Sequence, residues 1–187
     1  EGADVAVNYS RSAKEAEGTA NEIRKMGRRS IAVQADVSDD AAGRQMVHAV
    51  HREFGRLDTL VSSAGTTRFV PLENLEDLTD EAWDPVFNVN VKGAFYCARA
   101  AIPVMKANDG GHIINVSSIA GLTGQGSSLA YAASKAALIS VTRSLALSQA
   151  PDIRVNAVAP GVVDTRWVVG WEEFVAKARE SPPLKRV

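Results

Sequence analysis

Apolar residues along this chain follow two periods in turn. Short β-branched and aliphatic runs at 4–8, 30–35, 57–62, 110–118 and 154–158 are bounded by Gly, Asp, Ser or Pro, as expected of strands buried on both faces of a sheet. Between them, longer stretches with apolar positions three and four apart predict helices over 12–26, 39–54, 85–106 and 128–149. Ser38 stands where the second helix needs an N-cap. A looser stretch, 66–77, leads into a helical region whose start is marked by Thr79, with Asp80 and Glu81 in the first turn, where carboxylates favour the positive helix end. Pro160-Gly161 breaks the last strand. Strands alternating with helices predict a doubly wound parallel sheet in three α/β/α layers. No internal repeat or low-complexity tract interrupts the pattern.

Composition narrows the class. With 187 residues and 45% hydrophobic content, the chain is sized for a single domain, 1–187, with a substantial core. Lys and Arg number 21 against 22 Asp and Glu, a net charge of -1 that supplies no field for a nucleic acid or an anionic membrane. No apolar run reaches the length of a membrane span. The lone cysteine, Cys97, sits among apolar helix positions and suits packing in a reducing compartment, so a cytoplasmic location is expected. His48, His51 and His112 lack the spacing of metal ligands, and no metal site is expected.

Candidate chemistry concentrates in Tyr131-Ala-Ala-Ser-Lys135. Residues four apart share a helix face, so the Lys135 ammonium can stand beside the Tyr131 phenol. A cation within a few ångströms lowers a phenol's pKa from about 10, toward the range useful for general acid–base work. Ser118 lies at the end of the run Gly110-Gly-His-Ile-Ile-Asn-Val-Ser-Ser118, beyond the carboxyl end of a strand, where ligands bind in open α/β sheets. Asn88 and Asn90 fall inside the helix predicted over 85–106, an unfavourable place for asparagine that calls for a reason.

These motifs resemble the short-chain dehydrogenase/reductases along nearly the whole chain. Besides Asn90, Ser118, Tyr131 and Lys135, the likeness includes Asp36-Val37, Ser62-Ser63-Ala64-Gly65 and Asn156-Ala-Val-Ala-Pro160-Gly161, in the family's order. It implies a Rossmann-type fold and a nicotinamide cofactor. Tyr131 would be the acid/base, Lys135 would lower its pKa and bind the nicotinamide ribose, Ser118 would orient the substrate carbonyl, and Asn90 would hold a water in a proton relay. Asp36 and Val37 would frame the adenine, and Ser63, Ala64 and Gly65 would line the cofactor. Pro160, Gly161, Val163 and Thr165 would pass the nicotinamide. Substrate would meet Ser118, Gln125, Tyr131 and Trp167, with Thr67 also placed to line its pocket, and 166–187 would form a lid.

The likeness also has departures. Against the family pattern the first strand, its glycine-rich loop and the last strand are not seen, so the chain is expected to be a piece of a longer protein. Two half-sheets with unpaired inner edges should result. Ser62-Ser63 stands where Asn-Asn is usual, with shorter hydrogen-bonding reach. Asn8-Tyr9-Ser10-Arg11 lacks the acid that would grip a ribose 2′-hydroxyl; an arginine there favours a 2′-phosphate, hence NADP over NAD, while the plainer reading makes Arg11 a solvated charge. Trp167 and Trp171 belong to a lid or interface, or to ordinary core packing. The resemblance implies an oxidoreductase moving hydride between NADP(H) or NAD(H) and a carbonyl or secondary alcohol, closest to a 3-oxoacyl thioester reductase and assembled as a homodimer or homotetramer. A sugar or steroid alcohol dehydrogenase is the near alternative. An inactive fragment or dinucleotide-binding scaffold is the alternative of another class.

Overall fold

In a computed structural model of the chain, residues 2–163, 165–172, 175 and 176 are described. Strand β1 (Val5–Tyr9), helix α1 (Ala13–Lys25) and strand β2 (Ser30–Gln34) form a parallel two-stranded unit. After α2 (Asp40–Phe54), β3 (Thr59–Ser62) pairs in parallel with β4 (Gly111–Val116), and β4 with β5 (Ile153–Val158). The connection from β3 to β4 carries α3 (Asp80–Phe87), a π-helical turn (Asn88–Gly93) and α4 (Ala94–Lys106); that from β4 to β5 carries α5 (Ala120–Thr123) and α6 (Leu129–Gln149). The strands thus form two sheets, β1-β2 and β3-β4-β5, all pairs parallel, with helices between successive strands as the alternating pattern requires.

Packing joins the two sheets. Ala35 and Val37, just past β2, share a buried cluster with Met46 and Val47 of α2 and Cys97 and Ala100 of α4, and Leu57 and Leu60 from the β3 side pack against it. A second cluster puts Ala98, Ala101 and Met105 of α4 on Ile113 of β4 and on Ile153 and Val155 of β5. Burying each of the larger aliphatic side chains contributes roughly 1.5–3 kcal/mol.

Several boundaries differ from the sequence expectations. Asp39, not Ser38, caps α2: its carboxylate accepts from the N–H groups of Ala41 and Ala42. Ser38 is engaged elsewhere, its hydroxyl donating to Asp36 Oδ1 at 2.7 Å and its N–H donating at 2.9 Å. Strand β3 begins at Thr59 rather than Leu57, because its pairing register opens at Thr59 opposite His112 while Leu57 turns into the core. The helical start read at Thr79 holds, with Thr79 in extended conformation and α3 beginning at Asp80, so Pro85, the expected start of the helix over 85–106, lies inside α3.

Candidate active site

The site forms where β4 ends. Ser128, fully buried, is the N-cap of α6; its hydroxyl accepts from Tyr131 N–H at 3.2 Å, which puts Tyr131 in the first turn of the helix and Lys135 in the next. Two bonds then clamp this helix to the strand end: Ser117 Oγ donates to Lys135 O at 2.9 Å, and Lys135 Nζ donates to Val116 O at 2.8 Å. Helix α5 lies so close on α6 that a methyl on Gly121 would sit 2.6 Å from the Lys135 carbonyl carbon, so only glycine fits there. Ser118, at the start of that connection, accepts from Ala120 N–H at 3.1 Å, and its hydroxyl stands close enough to the Tyr131 phenol to lower its value. Phenol, hydroxyl and ammonium are thereby gathered at the carboxyl ends of parallel strands, as expected of a site in an open α/β sheet.

The electrostatics differ from the expectation in one respect. Burial raises the Tyr131 phenol above its ordinary value, and the neighbouring Ser118 hydroxyl offsets this only in part. Lys135 does not pull it down, because its Nζ points at Val116 O and sits over the Tyr131 ring, 5.7 Å from the centroid. Burial instead pushes the Lys135 ammonium itself down to about 8. The spacing of four places the pair together; desolvation decides the direction in which each titrates.

Asn90 lies in the π-helical turn and is 1% exposed. Its Oδ1 accepts from Thr66 N–H at 2.8 Å, and its Nδ2 donates to Thr66 O and to Ser134 Oγ, both at 3.0 Å. Both amide hydrogens are therefore spent on protein acceptors, which removes the side-chain donors from the expected water relay. The widened turn and the buried network together supply the reason for an asparagine in this helix. Ser134 and Ser117 escaped the sequence reading. The available signal was the serine beside Lys135 within Tyr131-Ala-Ala-Ser134-Lys135, on the same helical turn as Tyr131.

Around this centre the structure brings Gly65 and Trp167 in as well. A methyl on Gly65 would lie 3.5 Å from Asn90 Oδ1, 3.7 Å from the Trp167 ring and 3.8 Å from Lys135 Nζ. Trp167 is 44% exposed, and its ring stands 6.4 Å from that of Tyr131. Trp171 packs on Phe69 at 5.6 Å, and Thr67 Oγ1 is 2.6 Å from Ser127 Oγ, tying the loop after β3 to the start of α6. Gln125 is exposed in the connection between α5 and α6. Pro160 O accepts from Ile119 N–H at 3.0 Å, and a methyl on Gly161 would lie 3.6 Å from the Ile119 side chain. Val163 is exposed, and Thr165 Oγ1 accepts from Trp167 N–H at 3.4 Å. Of the expected lid 166–187, residues 173, 174 and 177–187 lie outside the described residues.

Toward the expected adenosine end, Asp36 is held below the usual carboxylate range, first by the Ser38 hydroxyl and then by Ser38 N–H, with the Arg11 charge adding to this. Arg11 and Ser10 are exposed, and Ser10 O accepts from Gln34 Nε2 at 3.1 Å. Val37 is turned inward and buried, with its side chain directly against Gly93. Ser63 and Ala64 are exposed, whereas Ser62 Oγ is buried without a hydrogen-bond partner, in line with the short reach expected of serine there. Cys97 is buried, its thiol pushed up to about 11. Among the described residues no group of three or more His, Cys, Asp or Glu is arranged to hold a metal, and no helix is long and apolar enough to cross a membrane.

A doubly wound parallel fold with a Ser–Tyr–Lys cluster beyond its strand ends defines a nicotinamide-dependent oxidoreductase class. Residues 1–175 match the family model of the short chain dehydrogenases, and the chain belongs to that family. It is 42% identical over 164 residues to the 3-oxoacyl-[acyl-carrier-protein] reductase FabG of Staphylococcus aureus, an alignment covering 87% of this chain and 65% of that one. A protein designated ketoacyl reductase 2 of the granaticin polyketide synthase, from Streptomyces violaceoruber, is 39% identical over 189 residues, covering all of this chain and 74% of its own. A crystal structure described as a short-chain dehydrogenase/reductase from Burkholderia xenovorans superposes with a TM-score of 0.89 at 39% identity, covering 100% of this chain and 75% of that one. The chain thus spans about two thirds to three quarters of the length of these relatives.

Proposed function

We propose that the protein reduces the keto group of apolar 3-oxoacyl thioesters with NADPH, NADH being a poorer donor. The observation that carries this reading is the Tyr131 hydroxyl, half-buried beside Ser118, with the Lys135 ammonium one turn along at the carboxyl ends of the strands. The donor set suits a dinucleotide: a backbone opening at Gly65 beside Lys135 Nζ at one end, and the Arg11 guanidinium near Asp36 at the other, suited to a 2′-phosphate. The bound cofactor supplies hydride to the carbonyl carbon. Ser118 and Tyr131 donate hydrogen bonds to the carbonyl oxygen, where negative charge develops. Tyr131 then gives up its proton to that oxygen, leaving a phenolate beside the Ser118 hydroxyl, while Lys135 Nζ stays on Val116 O.

A phenol held protonated at neutral pH is the form that reduction requires, so the raised Tyr131 value favours this direction. Ile119, Leu122, Val163 and Trp167, all exposed, lie on the segments that carry Ser118 and Trp167. Apolar side chains there favour an acyl substituent over a sugar. The names of the relatives, a 3-oxoacyl reductase and a ketoacyl reductase, point the same way. We place the homodimer or homotetramer contact on the outer faces of α4 and α6, where Phe95 and Leu147 are exposed; a single monomeric species in light scattering overturns that assignment.

The test is oxidation of NADPH or NADH with an acetoacetyl thioester, set against reduction of NADP or NAD with glucose or a hydroxysteroid. Thioester-dependent oxidation that falls by at least about 10²-fold in Tyr131→Phe, with cofactor binding retained, supports the reading. Wild-type rates in Tyr131→Phe remove the mechanism, and turnover of the alcohols alone removes the substrate.

A further inference from the structure

Ser134 has a place in the site that neither phenol nor lysine explains. It is fully buried, on the face of α6 turned toward the π-helical turn. Its hydroxyl donates to Tyr131 O at 2.7 Å and accepts from Asn90 Nδ2 at 3.0 Å. Asn90 in turn grips both the N–H and the carbonyl of Thr66, the residue following Gly65. A chain of four buried or half-buried polar groups therefore runs from the loop after β3, through the π turn, to the backbone of the residue that carries the phenol.

We infer that Ser134 is a positioning residue, fixing the first turn of α6, and with it the Tyr131 hydroxyl, relative to the loop at Gly65. The inference rests on the reaction proposed above. Reduction delivers hydride to carbon and a proton to the adjacent oxygen, so the group that gives the proton must be held in register with the floor on which the dinucleotide lies. Such constellations need placement within roughly 0.5 Å, and an error near 1 Å costs on the order of 10²-fold in rate. A methyl placed on Gly65 would lie 3.5 Å from Asn90 Oδ1 and 3.8 Å from Lys135 Nζ, so the network borders the same space as the catalytic lysine. Without the Ser134 hydroxyl, Asn90 keeps one buried N–H without an acceptor, and its carboxamide gains a reason to rotate off Thr66. Ser134 reaches neither substrate nor cofactor; it acts through Asn90 and the Tyr131 backbone.

The experiment is a double-mutant cycle of Ser134→Ala and Asn90→Ala in the protein, reading kcat with an acetoacetyl thioester, NADPH dissociation by fluorescence, and the urea midpoint. Ser134→Ala is expected to lower kcat about tenfold while changing NADPH affinity by less than about threefold, and in the Asn90→Ala background to lower kcat by less than about twofold. Ser134→Thr, which keeps the hydroxyl, restores most of the rate. A kcat within about twofold of wild type in a Ser134→Ala protein with a lowered urea midpoint shows a purely structural serine and overturns the inference, as does a fully multiplicative cycle. Should Ser134→Ala not fold, Ser134→Cys, matched in size but a weaker hydrogen-bond partner, carries the same comparison. A wild-type protein that turns over no carbonyl removes the proposed reaction, and the positioning role falls with it; a working wild type with an unaffected variant removes only the latter.

Discussion

Lys135 offers the sharpest energetic test, because it is a cation, 5% exposed, in an apolar helix–strand junction with one backbone carbonyl as its partner. Its ordinary value of 10.5 drops to about 8 in the folded chain, and the cause is desolvation alone. Between those two values the unfolded chain holds the lysine proton and the folded chain has released it. Raising the pH through this window therefore favours the folded state. Below about pH 8 both states are protonated and the full penalty, about 3 kcal/mol at 1.36 kcal/mol per unit, is present. Replacing Lys135 by Met removes the titration, while the lost bond to Val116 O costs the same at every pH. Urea unfolding of wild type and Lys135→Met at pH 7, 8, 9 and 10 should thus show the wild type gaining about 2–3 kcal/mol on the variant from the lowest to the highest pH. Tyr131 is present in both proteins, so its own raised value drops out of the difference. Two parallel stability profiles would refute the claim that the ammonium is desolvated.

Gly121→Ala should destabilise the chain by about 3 kcal/mol, at the upper end for overpacking, because the new methyl meets the backbone of Lys135 and Ala136 at 2.6–2.7 Å and neither can rotate away; an unchanged urea midpoint would count against this. Arg11→Glu should raise the KM for NADPH by at least about tenfold and improve NADH, since it swaps a 2′-phosphate partner for a 2′-hydroxyl partner; steady-state kinetics with both donors decide. Asp39→Ala should cost about 1 kcal/mol through loss of the α2 cap, and Ser38→Ala distinctly less, as measured by denaturation of the pair.

Much of this was readable in advance, for identifiable reasons. The run His112-Ile-Ile-Asn-Val116 could only be a buried strand, and Tyr131 and Lys135 could only share a helix face, because both inferences depend on backbone period alone. The cap of α2 was misplaced by one residue because Ser38 and Asp39 are both good caps, and the choice fell to Asp36, which captures Ser38 from outside the helix. The direction of the Tyr131 shift was not readable, since it depends on how deeply the ring is buried and where the lysine proton points. Ser134 was hidden for a related reason: a serine inside a helix looks neutral until the asparagine that meets it, 44 residues earlier in the chain, is in place.

The π turn at Asn88–Gly93 has a consequence for how this rod of helix tolerates length changes. Such a turn holds one residue more than an α turn, so the rod is out of phase with itself on either side of it. The α3 end can then lean on α6 while the α4 end turns Cys97 and Ala100 toward α2. Removing a single residue between 88 and 93 would close the rod into an unbroken α-helix with α4 near its present rotation, because the π turn already absorbs one extra residue, whereas adding one would swing everything beyond it by about 100°. With that insertion Cys97 and Ala100 would leave Met46 and Val47, so the rod tolerates shortening at this turn where lengthening would unseat the core that joins the two sheets.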